Sequence, residues 1–183
     1  MKVLSVNVGL PAALTWQGRS VITSFRKNPI QGIVEFRGVN LAGDSQADRK
    51  VHGGNRKSVY VYPAEHYPVW ESELGVGKLP WGSFGENLTT SGWLESVARI
   101  GERVRIGSAE FELASPRKPC YKMEIAFQRA DMIRRFHLSR RCGFYLGGVK
   151  EGALRAGDPV VTLSRKAGAP TVAEAYPGYA GEI

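Results

Sequence analysis

The 183 residues carry a formal net charge of +8, with 43% hydrophobic, 23% charged and 10% aromatic side chains. That is enough apolar material for one well-cored domain, and no apolar run approaches the roughly 20 residues needed to cross a bilayer. The positive balance favours anionic partners, but the charge is scattered rather than gathered in a tail, which argues against a nucleic-acid-binding arm.

Taken in chain order, Lys2–Val8 alternates as a half-buried strand does, and residues 19–25 do so more weakly. The opening stretch lacks the apolar core and small-residue cleavage site of a signal peptide, so the expected compartment is the cytoplasm. Lys50-Val51-His52-Gly53-Gly54-Asn55-Arg56-Lys57 follows. Its two glycines let backbone approach a ligand closely, and Lys50, His52, Arg56 and Lys57 would offset anionic charge. It matches no nucleotide-binding motif, and a Gly-Gly turn with solvated basic flanks is the competing reading. Ser58-Val59-Tyr60-Val61-Tyr62 is β-branched and aromatic, hence a strand. Pro63 then opens a helix over residues 64–74 that stops at Gly75, with Pro68 restricting its first turn.

Phe84-Gly85-Glu86-Asn87-Leu88-Thr89-Thr90 offers a carboxylate, an amide and backbone donors together, or simply turns into a strand. Residues 99–106 and 109–113 flank Gly107-Ser108 as a hairpin would. In Ser115-Pro116-Arg117-Lys118-Pro119-Cys120-Tyr121-Lys122 a single thiol sits among three cations, which favours thiolate over thiol. A thiolate is both a nucleophile and a soft metal ligand, while a buried structural cysteine is the plainer alternative. Residues 121–136 read as one helix, with Met123, Ala126, Phe127, Ala130 and Ile133 on one face. Residues 143–149 and 159–163 read as two last strands joined by residues 152–158, and the pattern fades beyond Arg165. Many short strands with regular turns and a few helices predict a mainly β, α+β barrel or sandwich.

Two cysteines, Cys120 and Cys142, fit a reducing compartment and are too few for an iron–sulfur cluster. His52, His66 and His137 have no metal-ligand spacing. A Cys120–His52 nucleophile pair stays open, without a hydrolase signature. His66 reads as packing or surface, His137 as a partner of a helix C-terminus, and Cys142 as a strand-entry residue.

Together the segments 48–54, 59–67, 84–88, 116–122 and 143–145, in this order, resemble the MOSC domain family and, within it, the bacterial YiiM-like branch. The resemblance covers residues 1–165 and implies a single MOSC-type β-barrel domain, with 166–183 a tail that begins a helical appendix. It implies a pterin molybdenum cofactor with Cys120 as the protein ligand of the metal, and Lys50, His52, Gly53, Gly54, Asn87, Arg117, Lys118 and Lys122 around the cofactor and its phosphate. It also implies reduction of N-hydroxylated compounds such as hydroxylaminopurines and amidoximes, with Cys120 in catalysis and Glu86, His52 or Asn87 positioning substrate or relaying protons. The chain has no flavin motif or cluster ligands, so the electrons would come from a separate flavin or haem reductase. Neither a membrane nor nucleic acid is an expected partner. A sulfur carrier with persulfide on Cys120 and no turnover is the alternative. Pyridoxal phosphate, a term attached to the family, belongs to a fused sulfurase domain for which this chain has no room. Cys142 stands where the family pattern leads one to expect a small non-thiol residue, a spare thiol of open role.

Overall fold

Alternation along the chain builds strands wherever one side chain in two can be buried. The computed structural model describes residues 1–45 and 55–177. In order come β1 (Lys2–Val8), β2 (Ala12–Trp16), β3 (Arg19–Thr23), β4 (Asn28–Ile30), β5 (Val34–Arg37) and β6 (Asn40–Leu41). A 3-10 turn at Asn55–Lys57 precedes β7 (Val59–Pro63), and a second at Ala64–His66 runs into helix α1 (Tyr67–Leu74). Next are β8 (Leu88–Ser91), β9 (Arg103–Ile106), β10 (Ala109–Pro116), helices α2 (Tyr121–Phe127) and α3 (Met132–Ser139), β11 (Phe144–Lys150), β12 (Gly152–Leu154), β13 (Val160–Ser164) and the short α4 (Val172–Ala175).

One sheet takes eight strands in the order β13-β9-β10-β11-β7-β8-β1-β4. It curls until the chain entering β13 meets β1, where Val3 N donates to the Asp158 carbonyl (2.9 Å) and Val160 N to that of Met1 (3.0 Å). The result is a half-barrel, the mainly β fold with helices that the sequence predicts. β12, β5 and β6 form a small second sheet and β2–β3 a hairpin. The predicted connector at 152–158 thus contains a strand, because Gly152–Leu154 pairs with Val34–Phe36.

β7 is buried on both faces. Its valines take one face and its tyrosines the other, where the helices pack. Tyr62 stacks on Phe84 at 4.6 Å, and Trp70 of α1 on Phe136 of α3 at 6.1 Å. β8 runs parallel to β7, which requires the crossover that carries α1. Gly75 ends α1 in the left-handed region, φ 65°.

The single helix expected over 121–136 is two helices. Gln128 takes φ 52°, and Arg129 N closes the turn on the Glu124 carbonyl at 3.0 Å. Phe127 and Phe136 would lie roughly 180° apart on a continuous helix. With the break, Phe127 packs on Phe84 (5.1 Å) and Phe136 on Trp70, in one aromatic core.

Beyond Arg165, Val172 and Tyr176 are buried, and Val172 N bonds to the Ala98 carbonyl at 2.8 Å. His137, read as a helix-end partner, meets the Tyr176 hydroxyl at 2.9 Å. Among the described residues no helix is long and apolar enough to cross a membrane.

Candidate functional site

Where β10 ends, two prolines bracket Arg117 and Lys118, and the chain stays extended to Cys120 (φ −141°, ψ 165°) before α2 begins. Cys120 occupies the cap position of that helix without a side-chain cap bond. It is a free, half-buried thiol. Beside it lies a cavity of about 110 Å³ walled by the end of β3, the 3-10 turn at Lys57, β7, the loop before β8, the 117–122 segment and β11. Drug-sized ligands fill roughly 300–1,000 Å³, so these walls fit a small molecule or one end of a larger one.

Arg117 is buried, yet among the described residues it makes no ion pair. It donates to the Phe84 carbonyl (2.9 Å) and the Tyr60 hydroxyl (3.3 Å), and its guanidinium lies 4.5 Å from the Tyr60 ring centroid. Burial works against its charge, but Tyr60, Tyr145 and the Cys120 thiol outweigh that and push its pKa up. It is a fixed cation on the cavity wall, and the carboxylate described there, Asp44, pairs with Lys27 instead.

Among the described residues, Lys27, Lys57, Arg117, Lys118 and Lys122 line the cavity together with one carboxylate, Asp44. Asp44 accepts from Lys27, from Gly9 N (2.9 Å) and from the Asn87 amide (2.8 Å). The Asn87 carbonyl oxygen in turn accepts from Tyr60 N at 3.1 Å, which pins this corner to β7. Ser24 Oγ, in the same wall, is buried without a hydrogen-bond partner among the described residues. An anionic or hydrogen-bonding ligand would satisfy both the surplus charge and this hydroxyl.

Of the residues expected at the site, the fold brings Cys120, Asn87, Arg117, Lys118 and Lys122 to one cavity. Glu86, expected in catalysis, does not line it. Its carboxylate accepts from Tyr67, Gly82 N (2.8 Å), Phe84 N (3.1 Å) and Thr89 (2.8 Å), all within its own corner of the core. Burial pushes its pKa up, against the pull of these bonds. Lys50, His52, Gly53 and Gly54 lie outside the described residues. Cys142 is buried, which drives its thiol pKa up, and its carbonyl accepts from Tyr60 (2.9 Å). His66 binds Glu95 (2.8 Å), whose other oxygen holds Gly143 N at 2.7 Å. Among the described residues no three His, Cys, Asp or Glu side chains gather as a metal cluster.

Ser24, Lys27, Asp44, Tyr60 and Tyr145 complete the wall and were not read from the sequence. They come from four places along the chain and share no spacing.

The family model described as MOSC domain matches residues 48–161. An uncharacterized Bacillus subtilis protein, YflK, is 39% identical over 89% of this chain and 73% of its own length. A Gibberella moniliformis protein named Reductase is 28% identical over 81% of this chain but only 27% of its own. The crystal structure of YiiM from Geobacillus stearothermophilus superposes with a TM-score of 0.76 at 29% identity, covering 94% of this chain and 80% of that one.

Proposed function

Because the chain belongs to the MOSC domain family, we propose that it is a molybdenum-cofactor oxidoreductase that reduces N-hydroxylated compounds with electrons from a separate flavin or haem reductase. The observation that carries this reading is a half-buried free thiol on a cavity whose described lining includes Arg117, Lys118 and Lys122. A soft thiolate suits a soft-ligand metal, and surplus positive charge suits a cofactor bearing phosphate. The unpartnered Ser24 hydroxyl supports a ligand in the same space. The Gibberella relative's name supports reduction as the reaction class.

Cys120 would be the protein ligand of the metal, with Arg117, Lys118 and Lys122 around the cofactor's anionic groups. When bound, the cofactor supplies two-electron redox chemistry. Arg117 is held before any ligand arrives, by the Phe84 carbonyl and the Tyr60 ring, so its charge needs no reorganisation on binding. Asn87 lines the cavity and also fixes Asp44 to β7.

The test is expression in a cofactor-competent host, followed by metal analysis and assay of hydroxylaminopurine reduction. Wild-type protein should carry molybdenum and turn over, and Cys120→Ser should lose both. A wild-type chain with neither would overturn the proposal. Bound cofactor with persulfide on Cys120 and no turnover would favour a sulfur carrier.

A further inference from the structure

Lys27 and Asp44 form an ion pair in the cavity wall that the reading above leaves unused. Lys27 lies between β3 and β4, and Asp44 follows β6. Both side chains are buried, 8% and 4% exposed. Asp44 is tied by Gly9 N and the Asn87 amide as well as by Lys27. A buried ion pair adds little stability over apolar side chains of the same size, so stability alone does not account for it.

We infer that Lys27, oriented by Asp44, is the proton donor to the substrate oxygen. This rests on the reductase reading. Reducing an N-hydroxylated amine breaks one N–O bond, consumes two electrons and two protons, and releases the amine and water. The electrons come from the flavin or haem reductase. The Lys27 ammonium gives one proton to the departing hydroxyl, which leaves as water. The second proton, taken from water at the cavity mouth beside exposed Lys118, goes to nitrogen. Neutral Lys27 then recovers its proton from bulk solvent through the same mouth, so each turnover takes up two solvent protons.

The other groups in the wall are less suited. Arg117 does not release its proton in the working range, and the Asp44 carboxylate only accepts. Burial pushes the Tyr60 and Tyr145 phenols up, away from neutrality. Lys118 and Lys122 flank Cys120 and face the cofactor's charge, and Lys57 is only half-buried. Among the described residues, the charges acting on Lys27 are Asp44, Glu86 and Arg117. Burial lowers its pKa more than Asp44 raises it, so its proton leaves more readily than that of a surface lysine.

Two measurements test this. In holoprotein labelled with 13C at lysine Cε, the resonance missing from a Lys27→Arg variant should titrate below the surface lysines in wild type, and lower still in Asp44→Asn. In turnover, Lys27→Arg keeps the charge but not the labile proton, and the double variant Lys27→Met/Asp44→Asn leaves no unpaired buried charge. Both should lose roughly 100- to 10,000-fold in kcat with molybdenum content unchanged. The wild-type kcat should fall as pH rises through the Lys27 pKa, at lower pH in Asp44→Asn. A Lys27 that titrates with the surface lysines, a Lys27→Arg enzyme as fast as wild type, or loss of molybdenum from the double variant would overturn the role alone. A molybdenum-loaded wild type that reduces no hydroxylaminopurine would overturn the reductase reading and the role with it.

Discussion

Glu86 and Arg117 are both buried charges near one cavity, yet their surroundings assign them opposite work. Arg117 has no described ion-pair partner and stands on the cavity wall. Glu86 has four hydrogen-bond donors and stands off it. Changing Glu86 to Gln replaces one accepting oxygen with an NH2 group that faces donors, which should cost about 1–3 kcal/mol. Urea denaturation should report that loss, while molybdenum bound per folded molecule stays at the wild-type level. A stable Glu86→Gln protein without molybdenum would return Glu86 to the site. In the sequence Glu86 and Asn87 could not be told apart, because they are neighbours and only Asn87 lines the cavity.

Elements were legible where local pattern and packing agree. Lys2–Val8 alternates, and it is β1; Gly107-Ser108 joins strands, and it is the β9–β10 turn. Gly143, in the last family segment, takes φ 60°, and a Cβ there would sit 2.3 Å from the Val61 carbonyl oxygen, so β11 can approach β7 only with glycine at this point. The helix break at Gln128 was not legible. Nothing near residue 128 is a glycine or proline, and the break comes from the two phenylalanines that must meet one aromatic core. Since Gln128 holds a left-handed conformation, Gln128→Gly should stabilise the fold by about 1 kcal/mol and raise Tm by a few degrees. Calorimetry reads this directly, and a lowered Tm would mean that the Gln128 side chain contributes more than its backbone strain costs.

For the molecule as a whole, the charge of +8 bears on the electron donor more than on the fold. If an acidic flavin or haem reductase delivers the electrons, its kcat/KM should fall roughly tenfold or more as salt rises from low to moderate ionic strength. With reduced methyl viologen as donor the rate should stay flat or rise, since two cationic species no longer repel as strongly. Stopped-flow reduction of the holoprotein at several salt concentrations separates the two. A flat response with the protein donor would mean that docking is not electrostatically steered.

The sequence by itself determined the fold class and the family, and it singled out the thiol that lines the candidate cavity. Those rest on local pattern and on short segments in a given order, both of which survive in one dimension. Tertiary structure alone decided which charges share a cavity with Cys120. The Ser24–Lys27 linker, Asp44 and Tyr145 arrive there from separate parts of the chain because the sheet curls and β7 lies at its centre. Spacing along the chain carries no trace of a meeting that only closure of the half-barrel brings about.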